Sequence, residues 1–483
     1  MSSSNSYEAI FKNFHSNLST LKVFVSGVEA SLLSQERESI KKNVNKLIPA
    51  MLAYHEAEPA IYQMPSELYE SVKKSYSDQV QVVYKDEEDK SQGYSLNILG
   101  RTGQEVEEAF EEIVFHRGQI NMLYQSSLIS LIVFFELSIS RVLHTHITKF
   151  PGIMSIKEKT LSLEEIRRLG TFEDAEKHLI DQEIENIMFG SLEKWYKYLT
   201  EKIKIGVPYF EKNKDRLIEI FQRRNIVVHN DGIANSIYFK NVISELRDSI
   251  KLGDKIIIDR DYINSSILLI EISGTFILIE MWRKAEKVSP ERVEMLLDDI
   301  YDAMMEENWE LSAAMSSAVL IEKEINAQQR LVAQINYWLS MKRKGEFKSI
   351  QKDIENADFG AYNRRFQLAI FALNDETESF FELLESAIPH DIDLNSVKEW
   401  PLFSEMREQP AYTEFISRHE DELVVEIDGE EDRSNEYFEA VKETTLEFVE
   451  QKLERKNSYK FKRKKFSKKR KNKIRRFHFL RNK

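Results

Sequence analysis

Two long apolar runs, SSLISLIVFFELSISRVL (126–143) and SSILLIEISGTFILIEMW (265–282), set the terms on which this chain can fold. Each carries glutamate and several serines where a bilayer would exclude them, so they read as buried bundle helices rather than membrane spans. The rest of the chain can supply the cover such helices need. Only 15 Gly and 9 Pro interrupt 483 residues, 31% of them charged, and a chain so poor in breakers favours long amphipathic helices over a turn-rich β architecture. The expected class is mostly α.

Periodicity and composition divide the chain. Residues 1–104 form an N-terminal helical region, broken near LAYHEAEP and YQMPSE, with QVQVVY as a short strand and 85–104 as a loop or boundary. Residues 105–287 form the central bundle, with helices expected over 105–149, 163–188, 191–204, 212–230 and 260–285, and GDKIIIDRDY (253–262) as a short strand or hairpin. From 290 to 418 the helices shorten and pair. Trp338, Phe347, Ile350 and Ile354 recur 33 residues later as Phe371, Phe380, Leu383 and Ala387. That period is the one tetratricopeptide-like arrays show, with an irregular set of helical hairpins as the alternative. The segment 419–450 is acidic, and 451–483 is a basic tail with 17 Lys and Arg against one acid, Glu454. The net charge of −13 therefore conceals a basic arm on an acidic body.

The absence of cysteine excludes disulfides, thiolate zinc sites and cysteine nucleophiles, and fits a reducing compartment. The first residues, MSSSNSYEAIFKNFHSN, lack the basic-then-apolar pattern of a signal peptide. A cytoplasmic location is expected.

Arg224-Asn225-Ile226-Val227-Val228-His229 has Arg and His five apart, a spacing common enough to arise by chance; Arg141 and His146 repeat it. The surroundings of the former distinguish it. Residues 212–230 are amphipathic and close on Asn230-Asp231-Gly232, a helix stop. Asn225 and His229 then share one face, Arg224 lies one position round, and His229 falls in the last turn, where the helix dipole favours a cation. An Arg and a His so placed suit a phosphodiester. The plain structural alternative pairs Arg224 with Glu219 and leaves His229 to cap the helix.

RRNIVVHNDGIAN (223–235) resembles the signature of the HEPN superfamily (higher eukaryotes and prokaryotes nucleotide-binding), in which Arg, a polar residue and a short apolar run precede His. The resemblance extends upstream to 126–143, with Glu136 as the acidic residue of the first long helix, and downstream through GDKIIID and the closing apolar helix. It covers about 105–287 and looks like the bacterial HEPN proteins of antiviral abortive infection and toxin–antitoxin systems. One departure concerns regulation: Asp231 stands where nucleotidylated HEPN toxins carry Tyr.

The resemblance implies endoribonuclease activity without metal or cofactor, on a composite site formed by a homodimer. His229 would take the proton from a 2′-hydroxyl, Arg224 would meet the charge developing on phosphorus, and Asn225 would orient substrate or imidazole. Glu136 either orients the His or is a partnered acid. A protein trigger is expected at the carboxyl-terminal helical region. The alternative function is a non-catalytic RNA-binding scaffold with a decayed HEPN bundle. Arg141, His144 and His146 read as a basic helix end facing phosphate or solvent. In the tail, Lys462, Arg463, Lys464, Lys465, Lys468, Lys469, Arg470, Lys471, Arg475 and Arg476 alternate with five aromatics, a combination suited to RNA. An anionic membrane surface or the chain's own acidic segment are the alternatives.

Overall fold

Burying the two apolar runs takes most of the chain's first half. The computed structural model describes residues 6–57, 62–84, 94–154, 160–247, 249–357 and 363–427, so most of the acidic segment and the whole basic tail lie outside the described residues. Among these there are nineteen α-helices and one two-stranded sheet, the mostly α class expected. The chain divides into two compact units, Met1–Ala357 and Asp358–Lys483.

In the first unit, α1 (Tyr7–Ala57) runs along α3 (Gly100–Lys149), and α10 (Arg260–Ala285) lies against both. The run 126–143 turns Leu128, Leu131, Ile132, Phe135, Ile139, Val142 and Leu143 inward, while α10 is buried on nearly all sides. Both helices are long and apolar enough to cross a membrane; 72% of the apolar window in α10 and 50% of that in α3 is buried inside the fold. Several polar residues of these runs find partners, while the buried Ser273 hydroxyl has none among the described residues. Ser127 donates to the Leu123 carbonyl at 2.7 Å and Ser138 to that of Phe134 at 2.8 Å. The buried Glu271 accepts from Lys22 of α1 at 2.8 Å through both oxygens. Gly274 makes the notch in which Phe14 of α1 rests: a Cβ there would lie 2.4 Å from the Phe14 ring. Close packing leaves no room for that atom.

The far end of α1 carries its own small core of Leu52, Ala53, Met64, Val72 and Val80, built with α2 (Ser66–Tyr76) and β1 (Val80–Tyr84). β1 pairs antiparallel with β2 (Tyr94–Ile98), Val80 opposite Ile98 and Tyr84 opposite Tyr94. The strand at QVQVVY is as expected. The loop expected over 85–104 is shorter, because 94–98 returns as its partner and α3 begins at Gly100. The single helix expected over 163–188 is two, α4 (Leu163–Leu169) and α5 (Phe172–Met188), divided where Gly170 takes φ 92° and Thr171 caps the second. The helix expected over 191–204 is α6 (Leu192–Lys197) followed by a π-helical turn, Tyr198–Ile203.

α7 (Pro208–Lys212), α8 (Lys214–Asn230) and α9 (Ser236–Asn241) follow. The 253–262 segment, expected as a strand or hairpin, makes only one bridge, Ile233 to Lys255. Its backbone bonds go to the loop after α8, so no second strand forms, and Asp259 then caps α10. α11 (Pro290–Met305), α12 (Trp309–Leu320), α13 (Ala327–Arg343) and α14 (Phe347–Glu355) complete the unit, each packed against the next.

The second unit holds α15 (Arg364–Leu373), α16 (Thr377–Ala387), α17 (Leu394–Glu399), α18 (Ser404–Arg407) and α19 (Pro410–Ile427). The residues 33 apart fall on successive helix pairs, α13 with α14 and α15 with α16. Phe380 stacks edge-on against Phe381 and Phe403, at 5.2 and 5.0 Å between centroids, in this unit's core.

Candidate active site on the eighth helix

α8 is fixed on its inner side by two clusters. Phe221 meets Phe135 of α3 at 6.2 Å and Trp195 of α6 at 5.7 Å, both edge-on. Ile226 joins Ala234, Tyr238, Val242 and Ile256. The helix ends as its sequence requires: Asp231 and Gly232 take φ 50° and 74°, and Gly232 N–H donates to the Ile226 carbonyl at 2.9 Å. The next residues are tied to the 253–257 segment by Ala234 N–H to Asp254 O and Ile256 N–H to Gly232 O, each 2.8 Å. Asp231 also accepts from Lys255 at 3.1 Å.

The adjacent arginines diverge. Arg223 turns inward and donates to the buried Glu219 at 2.7 Å, and Glu219 also accepts from Tyr238 at 2.8 Å and Tyr262 at 2.7 Å. The Arg223 guanidinium lies 3.9 Å from the centre of the Tyr262 ring and reaches the Ile257 carbonyl at 3.2 Å. Burial pushes both tyrosines up, with the Glu219 carboxylate adding to it. Glu219 therefore belongs to Arg223, four residues on, and not to Arg224. This network escaped the sequence reading, although the four-residue spacing was its signal.

Arg224 turns the other way and donates from Nη2 to Glu136 of α3 at 2.7 Å, with side chains 21% and 30% exposed. Its Nε is buried with no hydrogen-bond partner among the described residues. Glu136 thus holds the arginine and does not orient His229. Asn225 is half-buried and His229 exposed, one turn apart on the outward face. Among the described residues neither side chain has a hydrogen-bond partner, and nothing links His229 to Arg224. The constellation has a fixed cation, an outward amide and an outward imidazole on one rigid helix. It can accept an anionic ester from solvent.

The second Arg-and-His spacing is built differently. His146 is buried and its Nδ1 lies 3.0 Å from the Tyr7 hydroxyl, while Arg141 is exposed and His144 lies 3.3 Å from Asp181. The basic helix end facing phosphate or solvent is corrected for His146, because position 146 falls on the inner face of α3. Burial lowers its value to about 4, with Lys284 and Lys149 adding to the effect. The unfolded chain takes up that proton near the ordinary 6.5, so the stability is present above 6.5 and lost as pH falls toward 4, by about 3 kcal/mol. Urea midpoints measured between pH 7.5 and 4.5 should fall steeply for the natural chain and less steeply for His146→Gln, which keeps a partner for Tyr7 without titrating.

Among the described residues no group of three or more His, Asp or Glu is placed to hold a metal ion. The ten tail bases named above, all between positions 462 and 476, lie outside the described residues. No known protein family, curated protein or solved structure matches the chain.

Proposed function

We propose that the chain is a metal-independent endoribonuclease of HEPN type, acting in antiviral defence or as a toxin in the cytoplasm. The observation that supports it most is the anchoring of Arg224 by Glu136 on a helix that leaves Asn225 and His229 facing solvent. In this reading His229 takes the 2′-hydroxyl proton and the 2′-oxygen bonds to phosphorus. Arg224 stabilises the charge on the phosphorane through the donors Glu136 leaves free, and the bond to the 5′-oxygen breaks as that oxygen gains a proton. α3 and α10 serve as core helices of a soluble bundle, two protomers associate, and the tetratricopeptide-like helices receive a protein trigger.

The test is to incubate the purified chain with end-labelled single-stranded RNA in EDTA and identify the new ends. A 2′,3′-cyclic phosphate with a 5′-hydroxyl is expected; RNA that is bound and left whole would favour the scaffold reading instead.

The tail has a separate task in this reading. Deleting residues 452–483 should weaken RNA binding about tenfold or more at low salt and flatten its salt dependence, because 17 bases release counterions on binding phosphate. Turnover at saturating RNA should change little. Filter binding across a salt series checks this, and an unchanged slope would assign the tail another partner.

A further inference from the structure

α3 buries one face against α1, α5, α8 and α10, yet its opposite face is also apolar. Phe115, Met122, Val133 and Leu137 lie 62, 68, 45 and 38% exposed, on a heptad-like stripe whose centre is the exposed Ser126. A soluble helix rarely leaves such a stripe open over several turns. Arg101 and Arg117 pair with Glu105 and Glu36, and the charges left unpaired beside the stripe divide by sign. Glu107, Glu108 and Glu111 are exposed at one end and Arg141 at the other, and none of these has an ion-pair partner among the described residues. Glu111 and Arg141 are 30 residues apart, about 45 Å along the helix, so they cannot meet within one chain.

We infer that this face of α3 packs antiparallel against α3 of a second copy, about a two-fold axis at Ser126. In that register Glu111 faces Arg141, Phe115 faces Leu137 and Gly118 faces Phe134, and each contact occurs twice. Self-complementary charge of this kind is what an isologous contact requires. Gly118 supports the register. A glycine weakens a helix interior, and nothing within 4 Å in its own chain would obstruct a Cβ there. In the pair, its missing side chain admits the half-buried Phe134 of the other helix, and the small side chains of Ser126 and Ser130 let the backbones approach at the crossing. The strip covers on the order of 450 Å² per copy, so the affinity should be modest, in the micromolar range. Glu136 lies ten residues, about 15 Å, from the axis. The two Arg224–Glu136 pairs thus flank the contact, and association is measured without reference to cleavage.

The full chain should show a reversible monomer–dimer equilibrium by analytical ultracentrifugation between about 1 and 50 µM. Arg141→Glu and Glu111→Arg should each raise the dissociation constant about tenfold or more, by placing like charges together at both ends. The double variant E111R/R141E should restore association, which a fold defect could not do. The chain has no cysteine, so S126C should give disulfide-linked dimers on mild oxidation while E105C, far from the axis, should not. Circular dichroism checks that each variant folds. A full chain that stays monomeric throughout this range overturns the inference, whether or not it sediments with phosphatidylcholine vesicles. So does a dimer indifferent to both charge reversals, or linkage through E105C.

Discussion

Purified His229→Ala and Arg224→Ala proteins should each cleave RNA about 10² to 10⁴ times more slowly than the natural chain while keeping its helical content and unfolding midpoint. His229 is exposed and without a partner among the described residues, so its removal costs no packing. Removing Arg224 leaves Glu136 unpaired, but that carboxylate is 30% exposed and water can solvate it, so the stability cost should stay below about 1 kcal/mol. The adjacent arginine provides the contrast. Arg223→Ala would strand the buried Glu219 and release the 253–259 segment, so it should lose stability and activity together. Glu136→Gln should retain a reduced rate, since an amide can still accept from Arg224 but no longer fixes it by charge. EDTA should leave the natural rate unchanged. Undiminished cleavage by either alanine variant would end the catalytic assignment, whatever the state of the dimer.

The largest loss of stability is expected at Arg292, whose side chain is fully buried at the start of α11. It donates to Glu322 from Nε and Nη2 at 2.8 and 2.7 Å and to the Glu286 carbonyl at 3.0 Å, and its guanidinium lies 5.6 Å from the Trp282 ring centre. Arg283 of α10 reaches the same Glu322 at 2.8 Å, so one carboxylate ties together α10, α11 and the end of α12. Arg292→Met should lower the unfolding free energy by about 3 to 5 kcal/mol, because it leaves a buried carboxylate short of a partner. Replacing both partners, R292M with E322L, should cost less than the single change, since the buried carboxylate is gone and Arg283, which loses Glu322, keeps Glu280 and the Ala318 carbonyl as partners. The exposed pair Lys12 and Glu8, also close at 2.7 Å, should be worth under about 1 kcal/mol when broken. Urea titrations of the three variants would separate these outcomes. A double variant weaker than the single one would show that the network's geometry, and not its charge balance, holds these helices.

Local chemistry was legible along the chain wherever the determinant lay within one or two turns. α10 runs from Arg260 to Ala285, the limits its periodicity indicates, and α8 ends on Asn230 with Asp231 and Gly232 in the conformation that the Asn-Asp-Gly sequence favours. The strand at 80–84 was legible by alternation. Its partner at 94–98 was not, because a strand of that composition is defined by what it pairs with.

The candidate site divides in the same way. That Asn225 and His229 share a face follows from helical geometry alone. Which of two neighbouring arginines turns outward, and which acid each meets, depended on where α3 crosses α8: Glu136 lies 88 residues from Arg224 in sequence and 2.7 Å away in space. The two Arg-and-His spacings are alike in sequence, yet Tyr7 and Phe150 enclose His146 while His229 faces solvent. A helix repeats its geometry every few residues, so sequence determines relative position on its surface. Only the packing of other helices decides which part of that surface is covered, and with it which side chains remain free to do chemistry.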